Sequence, residues 1–320
     1  MKFIPYTLAA VVPNIVVDGA AAATTVLTLS HWPGSGTPAR LRADTSAEIV
    51  FNYLDTPSSL VDVEAATNNH FDEDGLIGIF ALTEPSLAAS QRTLLVDVAK
   101  AGDFGVYRSR TAARIAFVLA AYSDRATSPL PPATFTGPYP DVTAKLYQQL
   151  LPVLPRFVTN VEEFRRFWEA EDHRLEQGEA VLDQQVVKIE SHDDLDLAIV
   201  RVPADVPVPH AMALHSRTPH SRLIIVHGDS VELQYRYEGW VQFASRPIAP
   251  RVDLASLAAD LTGHKTAGRW SFEGVDQITP RLSFDGQRSV LPVDDVVRRM
   301  MQALRAGPPA WDPYVSPRSG

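Results

Sequence analysis

His70, Asp72 and Asp74 stand at i, i+2 and i+4 in the run His70-Phe71-Asp72-Glu73-Asp74-Gly75. In an extended or turning backbone, alternate side chains project to one side, so an imidazole and two carboxylates can converge. Two carboxylates held close together away from water are costly unless a proton or a cation lies between them. A divalent cation removes that cost. Carboxylates joined by a neutral imidazole suit Mn²⁺ better than Mg²⁺, and either better than a thiophilic ion. Two plainer readings compete. One is a solvated acidic turn. The other is a calcium loop of EF-hand type, which fails because Ala81 stands in the twelfth place, where a bidentate Glu is required.

The elements that must position this cluster can be read on either side of it. Residues 61–67 form a strand candidate that runs into His70, and Leu76 to Leu82 reads as a helix. That puts the cluster where a strand ends and a helix begins, the usual place for sites in open α/β sheets. Gly75 is expected to permit a tight turn after it. Upstream, residues 12–18 read as a short strand, and Thr24 to Leu29 as a buried strand ending in the loop Ser30 to Gly36. Asp44-Thr45-Ser46 offers an N-cap to a helix through Leu54. Residues 86–101 and 110–122 read as helices, residues 127–141 as a Pro-rich irregular stretch, and residues 142–186 as mostly helical. Beyond Leu195 the texture changes, with strands at 197–202, 222–226 and 231–237 and helices at 254–261 and 293–304. The alternation predicts an α/β protein. A parallel or mixed sheet flanked by helices is expected in an N-terminal domain of residues 1–160. A helical linker over 161–190 and a smaller α/β domain over 191–320 follow.

The composition limits the function classes. The 320 residues are 45% hydrophobic and 21% charged, with a formal net charge of −9. Binding to long nucleic acid rests on neutralising phosphates with Lys and Arg, so the acidity argues against it. A short nucleotide at a metal site stays compatible, because bound cations reverse the local field. With no cysteine in the chain, disulfides, thiolate zinc sites and a Cys nucleophile are excluded, and a reducing, cytoplasmic setting is expected. Pro5 and Pro13 interrupt the apolar N-terminus, so neither a signal peptide nor a membrane span is expected.

His70-Phe71-Asp72-Glu73-Asp74-Gly75 resembles the first motif of the DHH phosphoesterase superfamily, in which a strand ends in His or Asp followed by Asp-x-Asp and a helix. A second stretch, Ser245-Arg246 and then Arg251-Val252-Asp253 through Gly263-His264-Lys265-Thr266-Ala267-Gly268, is similar to that family's C-terminal substrate domain. The run from Gly102-Asp103 to Arg110-Thr111 looks like a later family motif that supplies a metal ligand, with Asp97 a rival for the same role. The Asp-His-His triplet itself is absent. Ser30-His31, followed by Thr45-Ser46-Ala47-Glu48-Ile49-Val50, resembles the end of that triplet and the helix after it, which makes the motif order here permuted. The glycine run of the family's substrate loop is reduced to Gly263 before His264.

The resemblance implies a metal-dependent phosphoesterase that hydrolyses a small phosphorylated molecule or a short nucleotide in a cleft between two domains. His70, Asp72 and Asp74 would be metal ligands and catalytic groups, with Asp103 and His31 completing the set. His264, Arg246, Lys265 and Arg251 would face the substrate phosphate. The alternative is a degenerate member that binds such a ligand without turnover, a reading the missing triplet favours. A metal enzyme of another class on the same scaffold also stays open.

Overall fold

The computed structural model describes residues 1–263, 268–286 and 291–315, and the chain divides into two units, Met1–His173 and Arg174–Gly320. The α/β class holds in both. In the first unit, β1 (Lys2–Phe3), β2 (Asn14–Val17) and β3 (Thr25–Leu29) precede α1 (Ser46–Leu54). Then come β4 (Ala65–Thr67), α2 (Glu73–Thr83), α3 (Pro85–Ser90), α4 (Arg92–Phe104) and α5 (Arg110–Ser123). The four strands form a parallel sheet in the order β1-β4-β2-β3. β2 is buried along its whole length. β3, expected to be buried throughout, is an edge strand whose first three residues are partly or fully exposed.

Local sequence accounts for the helix starts. Thr45 caps α1 and forms a capping box with Glu48. Asp72 caps α2 by accepting a hydrogen bond from Gly75 N at 2.8 Å, and Glu73 and Asp74 complement the helix dipole in its first turn. From Asp74 to Leu82 every residue of α2 is buried, the mark of a helix enclosed on all sides, here by the sheet, α1 and α4. The single helix expected over 86–101 is two helices, divided at Gln91. Gly105, at φ 62°, ends α4 in the left-handed conformation that glycine adopts without strain. α6 (Tyr139–Leu150), α7 (Leu154–Thr159) and α8 (Arg165–Asp183) follow, and the division between the units falls within α8.

The second unit contains β5 (Lys188–His192), β6 (Leu197–Val202), α9 (Ala211–His215), β7 (Arg222–His227), β8 (Ser230–Tyr235) and β9 (Arg251–Val252). It continues with α10 (Ala255–Thr262), β10 (Trp270–Phe272), β11 (Arg281–Phe284), α11 (Val293–Ala306) and β12 (Pro309–Trp311). Its mixed sheet has the order β10-β11-β8-β7-β6-β5, with β6 and β7 the parallel pair, and β9 pairs with β12 separately. One face of the sheet packs against α10 and α11. Val296, Val297, Met300 and Leu304 present the apolar stripe of α11 to Ile224, Leu233 and Leu282. Among the described residues no helix is long and apolar enough to cross a membrane.

Candidate metal centre

Three neighbouring parallel strands of the first unit end at one place. β4 runs on through Asn68 and Asn69 to His70, β2 into Asp18, and β3 into Ser30 and His31. Asp18 keeps β2 tied to the edge strand through its N–H, which donates to Leu29 O at 3.0 Å, but its own φ is 49°. An aspartate tolerates that left-handed backbone better than most residues. The bend aims its carboxylate across the strand ends.

Asp18 is the residue on which the cluster turns. Its Oδ2 lies 3.1 Å from His70 Nε2, and its Oδ1 lies 3.4 Å from His31 Nε2. Two sets of ligand atoms meet on it: Asp18, His70 and Asp72, and Asp18, His31 and Asp74, with the atoms of each set within 4.8 Å of one another. His70, Asp72 and Asp74 therefore do not close one triad by alternation. Asp72 is the cap of α2 and Asp74 lies in its first helical turn, so their side chains leave in different directions. Asp103, on α4, adds a further carboxylate beside the second set, its Oδ2 3.6 Å from His31 Nε2. Asp97, its rival, accepts instead from Arg108 N and Ser109 N at 2.8 and 2.7 Å and holds the start of α5.

The surroundings fix these groups. His31 Nδ1 donates to Asp44 O at 2.6 Å, which leaves Nε2 as the nitrogen directed at the carboxylates. A carbonyl partner on the other ring nitrogen is the usual arrangement behind a metal-bound imidazole. Asp74 accepts from Ser46 N and Ala47 N at 2.6 and 2.7 Å, so the amino end of α1 grips it, and Ser46 Oγ donates to Asp18 Oδ1 at 2.8 Å. His70 is set differently. Its Nδ1 has no hydrogen-bond partner among the described residues, and its ring stacks on Trp32 with centroids 5.0 Å apart. Asn68 accepts from His70 N at 3.1 Å and donates to Tyr147 Oη at 2.9 Å. Gly75 serves this network rather than a turn: it lies inside α2, where a Cβ would meet Asn68 Nδ2 at 2.2 Å and Tyr147 Oη at 2.5 Å.

The electrostatics are those of too much negative charge in too little water. Burial and then the charges of Asp18 and Asp72 push the Asp74 carboxyl well above the usual range. Burial and then Asp74 do the same to Asp103. Burial alone would raise Asp18 as well, but His70 and His31 hold it down at about 2. Burial opposes protonation of His70, yet Asp72 and Asp18 bring it up to about 11. Protons on the imidazole and on two carboxyls thus substitute for a cation. Asp18 Oδ2 and Asp103 Oδ2 are both buried without a hydrogen-bond partner among the described residues. Those atoms and the oxygen and imidazole donors around them fit a hard or borderline divalent ion. The cluster can hold a metal. Its two ends differ in access: the side chains of His70 and Asp72 are 17% and 27% exposed, whereas those of His31, Asp74 and Asp103 are at most 4% exposed.

The residues expected on the substrate side belong to the second unit. Arg251 does not offer a phosphate its fork. It is buried, and its guanidinium donates to the carbonyls of Val275, Gln277, Arg236 and Ile278, a structural role. Arg246 lies in the loop before β9 with its guanidinium 3.8 Å from Asp196. His264 and Lys265 lie outside the described residues. Reading the sequence missed Asp18, Asn68 and Ser46. The signal available for Asp18 was an acidic residue followed by glycine at the carboxyl end of the apolar run Ile15-Val16-Val17.

Residues 1–315 match the model of a family described as a family of unknown function (DUF6687). No curated protein and no solved structure matches the chain.

Proposed function

We propose that this chain, which belongs to the DUF6687 family, is a two-metal phosphoester hydrolase related to the DHH phosphoesterases with their motifs in permuted order. The observation that carries the proposal is the position of Asp18, one oxygen toward the imidazole of His70 and the other toward that of His31. Asp18 would be shared by two cation positions, with His70 and Asp72 available to hold the more open one and His31, Asp74 and Asp103 the buried one. The proximity of Ser30-His31 to the His70–Asp74 run supports the permuted order, since it brings the remnant of the missing triplet to the first motif.

A bound pair of divalent ions supplies an activated water and a clamp for phosphoryl oxygens. The donor set, rich in carboxylate with two imidazoles, favours Mn²⁺ over Mg²⁺. The chain's own residues do the rest. The amino end of α1 holds both oxygens of Asp74 at the buried position, the Asp44 carbonyl keeps His31 in one tautomer, and the Trp32 ring stacks on the His70 imidazole. The exposed edge at His70 and Asp72 is where a phosphate of a small molecule or short nucleotide would enter.

Asp18→Asn tests the reading well, because asparagine has the same shape and also tolerates the left-handed backbone. The expected result is two Mn²⁺ per wild-type chain and Mn²⁺-dependent phosphate release from a nucleotide panel, with the second ion and the release both lost in Asp18→Asn. Undiminished release in that variant would remove the hydrolase. One observation favours the second reading, binding without turnover: the Asp-His-His triplet is absent from the chain, and only Ser30-His31 stands in its place. Two bound ions with no phosphate release across the panel would select it.

A further inference from the structure

We infer that Lys100 is a positioning residue for the buried cation position, acting through Asp44 and Glu48; the inference rests on the two-ion reading above. Residues 44–47 do an unusual share of the holding in this centre. Asp44 O orients the His31 ring, and Ser46 Oγ accepts from His31 N at 3.2 Å and donates to Asp18. Ser46 N and Ala47 N hold both oxygens of Asp74. Asp103, the remaining group around the buried position, is carried by α4 instead.

Lys100 secures both ends of it. Its ammonium lies 3.4 Å from Asp44 Oδ2 and 3.0 Å from Glu48 Oε1. Glu48 also closes the capping box, accepting from Thr45 N at 3.4 Å while its own N–H donates to Thr45 Oγ1 at 3.2 Å. Lys100 is on α4, three residues before Asp103, so the two share a helix face. The helix that supplies the fourth carboxylate therefore also clamps the segment that holds the other three groups. Without the ammonium, two neighbouring carboxylates face each other unscreened. The segment is then free to rotate the Asp44 carbonyl away from His31 and the amides away from Asp74. A partly exposed ion pair of this kind contributes little to global stability, so the effect belongs to alignment. Lys100 is 22% exposed and lines a cavity of about 760 Å³ beside Arg92 and Arg108, which leaves a longer cation room to take its place.

The test is Mn²⁺ titration of the full chain by calorimetry, with electron paramagnetic resonance to separate single ions from coupled pairs. Lys100→Met is expected to weaken the second, buried ion roughly 10–100-fold, the range seen when residues behind metal ligands are removed. The first ion keeps its affinity, and the melting midpoint in chelator barely moves. Lys100→Arg restores most of the coupled signal. Asp44→Asn, which keeps the carbonyl and loses the partner of Lys100, gives the same selective loss, and the double variant is no worse than either single one. Asp44→Asn carries the test if Lys100→Met does not fold. Wild-type affinities in Lys100→Met, or equal loss of both ions, would overturn the inference while leaving the two-ion reading intact. A wild-type chain that takes fewer than two ions ends both.

Discussion

At the scale of single residues, the centre is a problem of proton placement. Glu73 belongs to it as well: burial and the charge of Asp72 push its carboxyl up to about 7 from an ordinary 4.5. Its ionised form is disfavoured in the folded chain, so the metal-free protein loses stability as pH rises from 4.5 through 7. His70, ordinarily at 6.5 and here at about 11, works the same way, since its ion pairs are complete below 6.5 and are lost as pH climbs toward 11. Asp18 acts in the opposite sense, from 3.8 down to about 2, and costs stability only on acidification through that range. The chelated protein is therefore expected to melt at progressively lower temperature from about pH 5 to about pH 9, where single domains usually have a broad optimum. Mn²⁺, which displaces these protons, is expected to restore the midpoint by a margin that grows with pH. Thermal scans with chelator and with Mn²⁺ across that interval check both; a chelated midpoint that stays level or rises is the contrary result.

At the scale of elements, α2 pressed against β2 sets where the ligands stand. Gly78 is a point of close approach: a Cβ there would lie 2.5 Å from Val17 Cγ1, on a branched side chain with restricted χ1 freedom, and 3.4 Å from Val50 Cγ2. Val17 adjoins Asp18. Gly78→Ala gains helix propensity of up to about 1 kcal/mol but overpacks the contact by about 1–3 kcal/mol. The expected sum is a lower melting midpoint and, because the displacement passes through Val17, weaker Mn²⁺ binding. Unchanged binding would show that the strand end accommodates the shift. How much of this was legible differs by element. The junction of β4 and α2 could be read because its three candidate ligands fall within five residues of one another. The cap at Thr45 was readable from its own chemistry. His31 came forward only through resemblance, since a histidine beside a Trp-Pro-Gly loop has no spacing to a partner. Asp18 was hidden for a physical reason. It makes its case only when β2 lies between β4 and β3, and strand order is a long-range property that local pattern does not encode.

At the scale of the whole molecule, among the described residues every group of the centre comes from the first unit, from Asp18 to Asp103. The second unit has a separate core, with Leu233, Ile224 and Trp270 against α11. The change of texture near Leu195 marks the second sheet, and the division falls inside the long helix α8, within the helical linker expected over 161–190, where amphipathic periodicity continues without a break. This separation makes a prediction about what Mn²⁺ stabilises. A ligand raises the transition of the folded unit that binds it by mass action, and of no other. Leu233→Ala opens a cavity among fully buried side chains and should cost the second unit about 2–5 kcal/mol. In calorimetric scans of the full chain, the variant is expected to show a transition moved to lower temperature and indifferent to Mn²⁺. A second transition, raised by Mn²⁺ as in the wild type, should remain. Loss of Mn²⁺ affinity in Leu233→Ala would mean that a group of the second unit takes part in holding the ions.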